Sequence, residues 1–137
     1  MRFFLIIILG VFLTFQGAAQ HKIIVKVKEI PSSKGKISAA LYRNQATFLK
    51  FDAVFASASN QSEKGTTTVV FNDIPEGEYA IALFHDENGN DVLDTNWMGI
   101  PKEKVAFSKA KMKLFGPPKF KECAFTLKKN LTLEIPL

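Results

Sequence analysis

The chain has 137 residues, a formal net charge of +5 and a single cysteine. That length supports one ordinary domain with one core, and one cysteine excludes any intramolecular disulfide, so packing must hold the fold. The residue pattern contains no phosphate-binding loop, dinucleotide fingerprint or nucleophile elbow, and nothing in it points to nucleic acid.

The N-terminus reads MRFFLIIILGVFLTFQGAAQ. One Arg, an apolar run from Phe3 to Phe15 and small residues ending at Ala19 form the pattern of a secretory signal peptide. The run is short for a membrane span, which takes about 20 apolar residues. We therefore expect residues 1–19 to be removed after Ala19 and residues 20–137 to form a single exported domain, in the periplasm or outside the cell. An uncleaved anchor is the alternative. No later apolar run is long enough to cross a bilayer.

The remainder reads as short strands between turn signals. Ile23 to Val27 is apolar and β-branched, and Pro31 to Gly35 is a turn. From Lys36 to Arg43, Ile37, Ala39 and Leu41 alternate with Ser38, Ala40 and Tyr42. Asn44 to Asn60 is ambiguous: the spacing of Phe48, Phe51 and Phe55 suits a short helical turn, whereas Ala53 to Ser59 also fits a strand. Thr66 to Phe71 is a strand, ended by the turn residues Asn72 to Gly77. Glu78 to Phe84 is apolar on both faces and predicts a central strand. Lys121 to Lys128 and Leu131 to Leu137 close the domain around Lys129-Asn130. These elements predict an all-β fold, an antiparallel β-sandwich of about seven strands, with one long loop from Asp86 to about Phe120.

The segment His85 to Asp94, HDENGNDVLD, carries the clearest chemical signal. Asp86, Asn88, Asn90 and Asp94 occupy positions 1, 3, 5 and 9 of a calcium loop of the EF-hand kind, and Val92 at position 7 would offer its carbonyl. Calcium takes hard oxygen ligands, and a loop with an oxygen at alternate positions can gather them around one point. The match is partial. Gly89 sits at position 4, Asp91 takes the place of the position-6 glycine, and Trp97 stands where a bidentate Glu belongs. Glu103 could fold back as a further ligand, since Gly99 and Pro101 bend the chain. An Asx-rich turn that satisfies its own backbone is the alternative. Two carboxylates in the ligand set imply weak calcium affinity, on the order of 0.1–1 mM. His85 lacks local partners for zinc or copper and is expected to be structural. Cys123 is expected to be a buried thiol.

The charges are segregated. Asp73 to Asp94 holds seven acids and no Lys or Arg, whereas Lys102 to Lys121 holds seven lysines and one acid, Glu103. The basic segment could meet a protein, a glycan or an anionic envelope component, or serve only as a solvated loop. Trp97, Phe115 and Phe120 flank the acidic loop and the Gly-Pro-Pro turn; exposed, they would offer a recognition surface for a sugar ring or peptide, whereas large aromatics usually pack into a core.

Three stretches together resemble the bacterial domain-of-unknown-function family 2141: HDENGNDVLDTN (His85 to Asn96), MGIPKE (Met98 to Glu103) and FGPPKFKECAF (Phe115 to Phe125). Phe71 to Ala80 is similar to the strand–turn–strand of prealbumin-like and carboxypeptidase-regulatory-like sandwiches. The resemblance implies an exported Ig-like or prealbumin-like sandwich with no established activity. The family's usual Phe-Ser-Asn-Asn is here Phe107-Ser108-Lys109-Ala110, so any role of those asparagines is changed.

The resulting expectation is a non-enzymatic binding or envelope-interaction module with a calcium-stabilised loop. A purely structural domain without metal is the first alternative. A hydrolase using Asp86, Asp94 or Glu103 is the second.

Overall fold

The computed structural model describes residues 17–137; the apolar run Phe3–Phe15 lies outside the described residues. Eight strands and one helical turn follow in the order β1 (Gln20–Ile30), β2 (Lys36–Tyr42), β3 (Ala56–Gln61), β4 (Gly65–Pro75), β5 (Gly77–Asp86), β6 (Val105–Phe107), α1 (Phe120–Cys123), β7 (Phe125–Leu127) and β8 (Leu131–Pro136). They form an all-β sandwich of two sheets. The first has the order β4-β1-β8; the second has β3-β2-β5-β6, with β7 also on β5. All pairings are antiparallel except β1 with β8.

Alternation builds the core. Ile23, Val25 and Val27 of β1, Ile37 and Leu41 of β2, Val69 and Phe71 of β4, and Tyr79, Ile81 and Leu83 of β5 all point between the sheets. Two bulges keep that phase. Glu29 takes a left-handed φ of 60°, which returns Ile30 to the core. Asp73, at φ 56°, takes up an extra residue where Phe71 faces Ile23 and Ile74 faces His21.

The second bulge corrects one expectation. Asn72-Asp73 is a bulge within β4, not a turn, and the reversal tightens to the residues around Glu76. Across it the Tyr79 hydroxyl donates to the Pro75 carbonyl at 2.7 Å, locking the corner where the chain changes sheets. β5 is central, as its two apolar faces require: β2 lies on one edge, and β6 and β7 share the other.

That sharing leaves a gap. β6 pairs with Ala82 to Phe84, and β7 with Gly77 to Tyr79. Ser108, buried just after β6, fills it. Its hydroxyl accepts from the Ile81 N–H at 2.9 Å and donates to the Cys123 carbonyl at 2.7 Å.

Residues 121–128 are not one strand. The Lys119 N–H donates to the Glu122 carboxylate at 2.6 Å, and the Phe120 N–H donates to Gln45 Oε1 at 2.8 Å. These bonds wind one helical turn that points Phe120 and Cys123 into the fold. β7 and β8 then lie in different sheets. The turn between them is pinned by Lys22 N–H donating to Asn130 Oδ1 at 2.8 Å.

In the ambiguous stretch, the residues around Asn44–Leu49 turn and Phe51–Ala53 make a short 3-10 segment before β3. The three phenylalanines do not share a face. Phe48 is buried, edge-on to Tyr42 and Phe120, whereas Phe51 is exposed and Phe55 lies under the Arg43 guanidinium. No helix among the described residues is long and apolar enough to cross a membrane.

Candidate functional site: an Asx loop beside an apolar cleft

β5 leads directly into the acidic loop, and the β1–β2 turn supports it from below. His85 is buried; its Nε2 donates to the Lys34 carbonyl at 2.7 Å, and Glu87 approaches its Nδ1 at 3.7 Å. Gly35, at φ +62°, lies so close that a Cβ there would sit 1.9 Å from the Asp86 carbonyl oxygen. Lys36 pairs with Asp91. His85 thus clamps the β1–β2 turn to the end of β5.

The structure brings Asp86, Asn88, Asn90 and Asp94 together in one hydrogen-bonded turn. Asp86 is fully buried, and its two oxygens accept from the N–H groups of Asn90 (3.2 Å) and Asp91 (2.8 Å). Asn88 Oδ1 accepts from the Asn90 N–H at 3.2 Å, and Asn90 Oδ1 accepts from the Val92 N–H at 3.1 Å. The amide groups of Asn88 and Asn90 donate to the two oxygens of Asp94, at 2.7 and 3.0 Å. The Val92 side chain projects into solvent. Left-handed backbone at Gly89 and Asp91 makes this close curl possible.

Glu103 does fold back. Its carboxylate accepts from the Asp94 N–H at 3.4 Å, and the two acids border a small cavity with Glu87, Asn88, Thr95 and Lys102. The Asn90 and Asn88 amides hold the Asp94 carboxyl below its ordinary range. Burial, and then the charges of Asp94 and Asp86, push Glu103 upward against the opposing Asp94 N–H. Among the described residues, no three His, Cys, Asp or Glu side chains are grouped closely enough to hold a metal by themselves. A cation here would draw on the asparagine and backbone oxygens as well. The donor set is all hard oxygen, as calcium requires, but as folded the side-chain oxygens of Asp86, Asn88, Asn90 and Asp94 accept internal hydrogen bonds.

The outward face of the second sheet carries the feature that sequence reading missed. Cross-strand register aligns Ser57, Ala40, Ala82 and Phe107 in one row, and Ser59, Ser38, Phe84 and Val105 in the next. The first row is floored by small side chains. A third row, Tyr42 beside Ala80, is covered by Phe48, Phe120 and Cys123. The uncovered rows floor a cleft of about 970 Å³. Leu93, Ile100 and Pro101 border it on one side, and Met112, Leu114 and Phe115 on another. The signal was present in the alternation of Ser38, Ala40 and Tyr42, which marks an outward face without charge.

Aromatic burial divides. Phe120 packs as expected, but Trp97 is 92% exposed and Phe115 is 97% exposed. Both occupy turn tips, where neighbouring chain cannot reach them. Asn96 Oδ1 accepts from the N–H groups of Met98 and Ile100, closing the first turn. Lys113 and Gly116 pair through their backbones to close the second. Cys123 is buried, and burial raises its thiol to about 11, as suits a packing residue. Ser108 and Cys123 therefore hold structure, with the serine hydroxyl committed to backbone.

Taken together, fold and loop define a bacterial β-sandwich domain of a group whose members have no assigned activity. The chain belongs to the domain-of-unknown-function family 2141, described as an uncharacterized protein conserved in bacteria, whose model matches residues 25–134. No curated protein and no solved structure matches the chain.

Proposed function

We propose that this chain is an exported, non-enzymatic binding module that holds a small, predominantly apolar ligand in the cleft on its second sheet. The cleft carries the reading: about 970 Å³ is the size of a small-molecule site. Its floor is alanine, serine and phenylalanine, with Asp91 and Lys113 the charged residues on its boundary. Such a wall recognises shape and apolar surface. Calcium is the second part of the reading. It would draw on Asp86, Asn88, Asn90, Asp94 and the Val92 carbonyl, with Glu103 adjoining. The two asparagine amides must then turn their oxygens inward. The adjacent carboxyls of Asp94 and Glu103 support it, because a cation would relieve their mutual repulsion. Fixing this loop would fix the path into Ile100 and Pro101 at the cleft margin.

Each part has its own test. An environment-sensitive apolar dye should brighten in the native protein, and Ala40→Leu, which fills the floor, should abolish that signal while the melting temperature holds. A dye signal unchanged in Ala40→Leu would reject the cleft. For calcium, a chelated sample taken to about 10 mM calcium should gain about 1.4–2.7 kcal/mol at the expected affinity. Identical melting curves, and no titration heat, would leave the loop a self-satisfied turn.

A further inference from the structure

The two turn tips beside the cleft present a different surface. At the first, Trp97 is 92% and Met98 58% exposed; at the second, Leu114 is 90% and Phe115 97% exposed. Gly99 and Ile100 of one turn and Leu114 and Phe115 of the other border the same cleft, so the tips stand on one side of the domain. All seven lysines between Lys102 and Lys121 are exposed, and among the described residues only Lys113 has an acidic partner, Glu122. Exposure of large apolar side chains at protruding turns, with unpaired cations around them, matches the two layers of an anionic membrane surface. Trp, Met, Leu and Phe enter the headgroup–acyl boundary, and lysines meet the lipid phosphates. A protein partner would need preformed pockets for four protruding side chains; a fluid interface deforms around them.

We infer that the turns carrying Trp97-Met98 and Leu114-Phe115 are a membrane-docking surface that inserts into anionic lipid, steered by the lysines of the same segment. This goes beyond the cleft and the calcium loop and requires neither.

Trp97 is the single tryptophan of the chain, so its fluorescence reports on this surface alone, whatever residues 1–19 do. Titrating the full chain with phosphatidylglycerol-containing vesicles should move Trp97 emission to shorter wavelength, and brominated lipid should quench it. Lys109→Gln with Lys111→Gln should weaken the response about 25-fold, at about fivefold per lysine. Leu114→Ser with Phe115→Ser should weaken it at least about tenfold. Both pairs are surface changes, and an unchanged melting temperature confirms that the variants fold. Emission unmoved by anionic vesicles would overturn the inference and leave the tips to a protein partner. A response that neither variant pair alters would overturn it as well. Loss of dye binding in Ala40→Leu with vesicle binding intact separates this surface from the cleft.

Discussion

The acidic loop and the lysine-rich arm lie on the same excursion between β5 and α1, yet they treat their polar groups in opposite ways. Residues 86–94 close on themselves. Asp86 caps two backbone N–H groups, each asparagine holds the N–H two residues on, and both amides meet Asp94. Among the described residues, residues 102–121 leave six lysines without an acid and two apolar tips in solvent. Internal satisfaction gives a rigid support, whereas unsatisfied charge and apolar surface are what a partner can use. The acidic loop therefore reads as the foundation of the surface, and the basic arm as the surface.

The sharpest way to break this contrast is to remove the foundation. Gly35→Ala sets a Cβ against the Asp86 carbonyl and imposes a left-handed φ on alanine. Strain and displacement together should cost about 4 kcal/mol. Chemical denaturation would measure the loss, and a stability equal to wild type would mean that the β1–β2 turn does not support the loop. Ser108→Ala comes next. It leaves the Ile81 N–H and the Cys123 carbonyl buried without their side-chain partner, at about 3 kcal/mol by the same measurement.

A pH series sharpens the picture of the loop. Asp94 is depressed in the fold, so its contribution is present above its unfolded value and is lost only as pH falls through the lowered one. Glu103 is raised, so its ionised form opposes folding, and stability recovers as pH falls through that raised value. If calcium binds as proposed, mild acid should weaken that binding through Glu103 before the fold suffers through Asp94. Titration heats that fade as pH falls through the raised Glu103 value, at constant circular dichroism, would show it. Glu103→Gln should remove that pH dependence.

Much of the sandwich was legible because alternation in β1, β2 and β5 reports directly on which face is buried. The acidic loop was legible for a local reason: Asx side chains at alternate positions bond within a few residues of themselves. Long-range partners were not legible. Asn72-Asp73 carries the residues of a turn, but pairing with β1 turns it into a bulge. Lys121 to Lys128 carries a strand-like pattern, but Gln45, 75 residues from Phe120, and Glu122 wind its start into a helical turn. The cleft depends on register across four strands, which no single segment encodes. The size of Trp97 and Phe115 favours a core, and only turn geometry shows that neither reaches one.

The smallest expected effect concerns those tips. Leu114→Ser with Phe115→Ser removes side chains that are 90% and 97% exposed, so the folded state loses almost no packing. Stability should stay within about 0.5 kcal/mol of wild type. The same holds for Trp97→Ser, whose turn is closed by Asn96 and its backbone rather than by the indole. A loss of about 2 kcal/mol in either variant would mean that the tips pack against the domain in solution. The contrast between a closed foundation and an open surface would then fail at its second half. Near-zero change would leave four large apolar side chains in water with no structural reason to be there, and binding as the remaining use for them.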